Sequence, residues 1–225
     1  MEEFDSRYRT RFEALDTTCI SDALDALGLR GSPHGIGPAF EGAPSIVGQA
    51  VTVKLVAAGV TKTDRHACIQ AIHVAKKGDV VVIDNGGRLD TNCWGEIVAT
   101  AAKLKGIAGV VADGACRDLD ACVDLGFAVY ARAPVVVTAR GRTIEQSTNE
   151  MIEVGGIQVR PGDVVIGNRS GVVFVPQEHI DAVLAKAEQI KQKEDQMIAD
   201  LKAGMDILSV DKKYSYESML EKPKN

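Results

Sequence analysis

With 225 residues, 45% of them hydrophobic and 25% charged, the chain has the make-up of a globular protein able to bury a sizeable core. A net charge of −5 without any basic stripe excludes a nucleic-acid footprint, and no apolar run approaches the ~18 residues of a membrane span. The cysteines (Cys19, Cys68, Cys93, Cys116 and Cys122) are odd in number and lack CxxC spacing, and Met1-Glu2-Glu3-Phe4-Asp5 is too charged for a signal peptide, so the expected setting is reduced and cytoplasmic.

In chain order, residues 4–15 read as a short helix. Thr17 or Thr18 then caps a second one, whose apolar positions Ile20, Ala23, Leu24 and Leu27 follow the helical period and which Gly28 ends in a left-handed conformation. Residues 30–43 form a Gly/Pro-rich loop, and the β-branched stretch 45–58 reads as strand. Residues 64–76 are expected to be helical. A short buried strand, 80–83, ends at Asp84-Asn85-Gly86-Gly87. A helix over 94–105 and a strand over 107–112 follow, then a two-turn helix from Leu119 to Leu125 closed by Gly126. Residues 128–130 and 135–138 are strand-like. Residues 157–159, 164–166 and 172–175 read as a β-meander, and one long helix runs over 179–201 with an apolar stripe. Gly78-Asp79-Val80-Val81 and Gly162-Asp163-Val164-Val165 echo each other, read as two similar turns rather than a true repeat. The tail after Gly204 shows no clear period.

The chemistry is expected between residues 95 and 118. A helix begins at Gly95-Glu96, and the strand that follows delivers Arg117 and Asp118. In an α/β layer a helix start and a strand end can open onto one edge of the sheet. Backbone N–H groups of Gly95, Glu96, Ile97 and Val98 would then form an anion site, with Arg117 as a cation beside it and Asp118 as a hard oxygen ligand. Blander readings exist for each residue. Asp118 can cap the next helix, Arg117 and Asp118 can be a structural pair, Glu96 can be a favourable first-turn charge, and Trp94 can be core. His34, His66, His73 and His179 are scattered without a metal-binding spacing, and 84–87 lacks a nucleotide-loop pattern.

Glu96, the twenty residues 97–116, and Arg117-Asp118 together resemble the D/E-x20-R-D signature of the RraA-like family. Ser21-Asp22-Ala23-Leu24, the run from Gly78 to Asp84, the run from Gly109 to Gly114, and Arg160-Pro161-Gly162-Asp163 agree with it. The resemblance covers roughly residues 15–190. It implies an α/β architecture, a three-layer β/β/α swivelling-type fold with a long C-terminal helix, as a single domain over 1–225 (core about 15–190, helix and tail 179–225). It implies a trimer or hexamer. The activity implied is that of a metal-dependent pyruvate aldolase. Such an enzyme cleaves 4-hydroxy-2-oxo diacids such as 4-hydroxy-4-methyl-2-oxoglutarate and also decarboxylates oxaloacetate. Asp118 would ligate Mg²⁺ or Mn²⁺, with Glu96 reaching the metal through water. Arg117 would hold the 2-oxo oxygen, and the N–H groups of Gly95, Glu96, Ile97 and Val98 would hold the substrate carboxylate. Some aldolases of the family have Asp where this chain has Glu96. They also use an acidic residue from a neighbouring subunit, to which none of Asp206, Glu217 and Glu221 aligns. A non-catalytic regulator binding a protein such as a ribonuclease is the alternative within the same family.

Overall fold

The computed structural model describes residues 4–63 and 65–215. Helices α1 (Ser6–Glu13) and α2 (Thr17–Ala26) open the chain, followed by the two-residue strand β1 (Gly37–Pro38) and the long β2 (Ile46–Ala57). Then come α3 (Ile69–Val74), β3 (Val80–Trp94), α4 (Glu96–Lys105), β4 (Gly109–Cys116), α5 (Leu119–Asp124) and β5 (Ala128–Ala131). Short strands β6 (Ala133–Pro134), β7 (Thr143–Thr148), β8 (Ile152–Val154), β9 (Ile157–Val159), β10 (Val164–Asn168) and β11 (Gly171–Val175) follow, and α6 (Ile180–Lys202) and α7 (Ile207–Tyr214) complete the described residues.

The main sheet runs in the order β1-β5-β4-β3-β2-β10-β11, with β6 on β4 and β7 on β2. Strands β2 to β5 are parallel, and β10 and β11 continue the sheet in antiparallel sense. The Phe174 N–H donates to Gly31 O at 2.8 Å, tying β11 to the loop before β1, so that the sheet nearly closes on itself.

Alternation along each strand explains the layers, since successive side chains point to opposite faces. Val81 and Ile83, with Val110, Ala112 and Val129, meet Ala71, Val98, Ala99, Ala102 and Cys122 of helices α3 to α5. Val80, Val82, Val111 and Tyr130 face inward against Val165 and Phe174 of the folded-over antiparallel strands. The result is helix layer, parallel strands and returning strands, the three-layer β/β/α expectation. Outside β10 and β11, Val164, Ile166, Val173 and Val175 carry α1, α2 and α6 through Phe12, Ile20, Leu24, Val183 and Leu184.

Several local expectations are corrected. Asp16, not Thr17 or Thr18, sits at the α2 N-cap. The Thr17 hydroxyl instead donates to Asn168 Oδ1 at 2.7 Å, so a tertiary partner wins over the cap. Residues expected as helix over 64–76 are helical only in α3, with Asp64 outside the described residues. Strand β3 does not stop at Ile83. The chain bulges out through Gly86 and Gly87, both at positive φ, and rejoins β4 as far as Trp94 opposite Cys116. The turn signal there is real, but β4 is long enough to recapture the strand beyond it. Residues 135–138 form no ladder of their own. Val135 N–H donates to Cys116 O, and Val137 O accepts from Asn92 N–H, both at 2.9 Å. The expected meander is two hairpins: β9 pairs with the unforeseen β8, and β10 pairs with β11 and β2. The unassigned tail forms α7, capped by Asp206, which accepts from Ser209 N–H. Glu217 and Glu221 lie outside the described residues.

The Gly78-Asp79 and Gly162-Asp163 echo is a shared turn. Each glycine has a positive φ, and each aspartate accepts the N–H three residues earlier, Lys76 at 2.7 Å and Arg160 at 2.8 Å.

Candidate active site

Strand β4 is buried along its whole length and delivers Arg117 and Asp118 as the chain leaves the sheet. Asp118 sits at the N-cap of α5 with φ 56 and ψ 39, a left-handed conformation that Asp tolerates better than most residues. Its side chain makes no cap bond to α5. The carboxylate turns across the cleft instead, and Oδ2 accepts the Glu96 N–H at 3.1 Å. Asp118 therefore occupies the cap position of one helix while its charge serves the N-terminus of another, where negative charge is favoured.

Gly95 makes this approach possible. Its backbone is extended, so the demand is for space rather than for an unusual conformation. A Cβ there would fall 2.7 Å from Asp118 Oδ2 and 3.3 Å from Arg117 Cγ. The Arg117 N–H donates to Trp94 O at 3.0 Å, which locks the end of β4 against the end of β3.

The Arg117 Nε lies 3.2 Å from Asp118 Oδ2, an ion pair whose N–H is not aligned as a hydrogen bond. The terminal guanidinium nitrogens have no partner among the described residues, and the side chains of Arg117 and Asp118 are 29% and 36% exposed. The pair thus forms yet leaves the planar fork open. Glu96 is exposed at the first turn of α4. The buried Cys122 thiol is pushed up to about 11, first by burial and then by the charges of Asp118 and Glu96, so both carboxylates flank one point. Of the four expected cradle donors, the Glu96 N–H is taken by Asp118, while those of Gly95, Ile97 and Val98 have no partner among the described residues. Trp94 is core: it is 1% exposed and its ring stacks with Phe127 at 6.0 Å.

The family model described as Aldolase/RraA matches residues 17–174, a span that contains the whole cleft. The chain belongs to the RraA-like family. Among its RraA-like relatives, a protein of Halalkalibacterium halodurans provisionally named a 4-hydroxy-4-methyl-2-oxoglutarate aldolase is 38% identical over 196 residues, covering 87% of this chain and 89% of its own. A crystal structure of an uncharacterised protein from Pseudomonas syringae pv. tomato superposes with a TM-score of 0.84 at 30% identity, covering 93% of this chain and 99% of that one. Streptomyces coelicolor RraAS2, described as an unusual member of the RNase ES inhibitor RraA protein family, superposes at 0.77 over 87% of this chain and 97% of its own. At 22% identity that likeness concerns the fold alone.

Among the described residues of this RraA-like chain, no three His, Cys, Asp or Glu side chains gather as a metal cluster, and no helix is long and apolar enough to cross a membrane. The donor chemistry still fits a hard divalent cation. Mg²⁺ keeps several waters and takes only one or two carboxylates from a protein. Asp118 offers Oδ1, without a partner among the described residues, with the Glu96 carboxylate nearby.

A second set of charges escaped the sequence reading. Asp84 and Asp113 lie opposite each other on β3 and β4 and are buried. Lys54 Nζ contacts Asp84 Oδ2, and Arg132 Nε contacts Asp113 Oδ1. Hairpin β8–β9 closes over both, since Glu153 N–H donates to Asp84 at 3.3 Å and Gly155 N–H to Asp113 at 2.8 Å. The signal in the sequence was that each aspartate ends an apolar run, Val80 to Ile83 and Val110 to Ala112.

Proposed function

We propose that this chain is a divalent-metal-assisted carbon–carbon lyase. It releases pyruvate from 4-hydroxy-2-oxo diacids such as 4-hydroxy-4-methyl-2-oxoglutarate, and from oxaloacetate. The observation that carries the reading is an open Arg117 fork and a half-exposed Asp118 held against an uncapped stretch of helix N-terminus. The family membership and the name given to the Halalkalibacterium relative support it.

In this reading the Ile97 and Val98 N–H groups receive the substrate's C1 carboxylate at the positive end of α4. Arg117 donates to the 2-oxo oxygen. When the bond between C3 and C4 breaks, its electron pair becomes the enolate of pyruvate, and negative charge grows on that oxygen. Arg117 is aimed where the charge appears, so it stabilises the transition state more than the ground state. The 4-hydroxyl loses its proton as C4 becomes a carbonyl, and C3 gains one as the enolate becomes pyruvate. With oxaloacetate the same electron pair is left behind by departing CO₂. Mg²⁺ or Mn²⁺ held by Asp118, with Glu96 acting through water, would supply Lewis-acid polarisation of the same oxygen. The assembly proposed is a trimer or hexamer, supported by exposed Ile198 and Leu201 on α6 and Ile207 and Leu208 on α7. A single 23.9 kDa species in sedimentation equilibrium at micromolar concentration would rule that out.

The deciding assay is pyruvate release from oxaloacetate and from 4-hydroxy-4-methyl-2-oxoglutarate, before and after chelation. EDTA should abolish it and Mg²⁺ or Mn²⁺ restore it. Full activity after exhaustive chelation removes the metal from the proposal. No pyruvate from either substrate in the presence of metal removes the lyase reading and leaves the family's regulator role.

A further inference from the structure

A second polar cavity, of ≈ 240 Å³, lies between the loop ahead of α3 and the loop ahead of β7. Its lining cations are Arg65 and Arg140, with His66 beside them; no carboxylate is among the lining residues, and the neighbouring Glu145 is turned to the Cys68 N–H at 2.8 Å. On a chain of net charge −5, that is a local reversal of sign. Neither guanidinium has a hydrogen-bond or ion-pair partner among the described residues, although Asp and Glu outnumber Lys and Arg in the chain by 31 to 26. His66 Nδ1 is 2.8 Å from Ala67 O. A carbonyl only accepts, so Nδ1 carries a proton, and Nε2 has no partner among the described residues.

One lining atom points to a ligand more directly. Thr143 is 5% exposed, yet its hydroxyl has no hydrogen-bond partner among the described residues. Buried hydroxyls are nearly always satisfied, so an orphan at the wall of a cationic pocket calls for an acceptor from outside the chain.

The pocket is wired to the candidate active site through the end of β3. On one wall, Ala139 N–H donates to Asn92 Oδ1 at 2.6 Å. Asn92 Nδ2 in turn donates to Trp94 O at 3.3 Å, the same carbonyl that accepts the Arg117 N–H. On the other wall, Cys68, next to Ala67, places its thiol 3.8 Å from Cys93 O. Both walls thus hang on residues 92 and 93. At the rise of an extended strand, Cys93 lies about 7 Å from Gly95.

We infer that this pocket is the specificity site for the distal carboxylate of a diacid substrate, with Arg65 and Arg140 as the binding groups and Thr143 as an added donor. The inference rests on the lyase reading for its substrate. It goes beyond that reading in assigning the preference for diacids over monoacids to residues outside the Glu96-Arg117-Asp118 set. Arg suits the task because its fork meets a carboxylate with two parallel hydrogen bonds.

The test compares Arg65→Ala and Arg140→Ala with wild type on two substrates sharing one 2-oxo head, 4-hydroxy-4-methyl-2-oxoglutarate and the monoacid 4-hydroxy-2-oxopentanoate. Each variant should raise KM for the diacid about tenfold to a hundredfold, the size of a lost charged hydrogen bond, and leave the monoacid unchanged. Arg140→Lys should fall between wild type and Arg140→Ala. Equal losses on both substrates, or no loss on either, would overturn the assignment while the lyase reading stands. Calorimetric titration with glutarate, a non-reacting diacid, gives a readout without turnover. If wild type releases pyruvate from neither of these nor from oxaloacetate, the lyase reading fails on its own. The pocket is then judged by glutarate alone: binding lost in both variants keeps it as a dicarboxylate site, and absent or undiminished binding overturns it.

Discussion

Two pairs of carboxylates stand near the carboxyl ends of the parallel strands, and they are treated in opposite ways. Asp84 and Asp113 are buried, each meets a cation (Lys54 on β2, Arg132 between β5 and β6), and each takes a backbone N–H from the hairpin folded over them. Asp118 and Glu96 remain at the surface of a cleft, one with an oxygen to spare and the other exposed. The functional group is the same. What separates structure from chemistry is whether the surrounding chain has used up the acceptors. A saturated carboxylate holds the fold together, and one with an oxygen to spare is available to a ligand.

The contrast can be broken most severely at Arg117. Arg117→Ala should lower kcat for oxaloacetate decarboxylation by about 10²–10³, the effect of losing one oxyanion donor, with KM and melting temperature little changed. Arg117→Lys should recover little, because a point charge does not reproduce the fork. Near-normal kcat in a folded Arg117→Ala protein would place Arg117 with the structural pairs. The reverse pattern is expected at the closed edge. Asp113→Ala leaves Arg132 and the Gly155 N–H without their partner and should cost about 3 kcal/mol in denaturant melts, at the low end for a broken buried pair because Arg132 still reaches solvent. A melt indistinguishable from wild type would deny the clamp.

Gly95→Ala sharpens the comparison from the side of geometry. The added methyl would sit 2.7 Å from Asp118 Oδ2, so the carboxylate must shift. Stability should hold, since the backbone there is extended, but displacement of about 1 Å can cost on the order of 10²-fold in rate. Unaltered turnover would mean that the Asp118 position is not critical. The smallest effect concerns Asp79, whose carboxyl is raised above its ordinary 3.8, chiefly by burial. The folded chain therefore holds a proton that the unfolded chain has already released. Stability from this group is present at acid pH and is lost as pH rises through the raised folded value. Asp79→Asn keeps an acceptor for the Lys76 N–H but cannot titrate, so its melting temperature should fall less than wild type's over that window. Parallel curves would refute the assignment.

The parts legible in the sequence are those whose cause is local. The unbroken apolar run Val80, Val81, Val82 and Ile83 already states that this strand is buried on both faces, and the structure divides those residues between two cores. Gly28 and Gly126 mark helix ends at positive φ, and the 3.6-residue period finds α2 and α6. The grouping of Glu96, Arg117 and Asp118 was readable because a helix start and a strand end recur at one edge of such sheets.

Other features depend on residues far apart in the chain, and no local pattern encodes them. That β3 survives its Gly86-Gly87 excursion depends on β4 waiting beside it. Hairpin β8–β9 has almost no period to detect in three-residue strands, and it is held by Asp84 and Asp113, 69 and 42 residues away from the N–H groups they accept. Asp118 was readable as a cap for the helix that follows it. The fold gives its charge to a helix N-terminus 22 residues earlier, because Gly95 leaves room for the approach. Side-chain type and spacing specify which groups are present and which elements carry them. Which polar groups remain unsatisfied, and so free for chemistry, is settled only when distant strands and loops close around them.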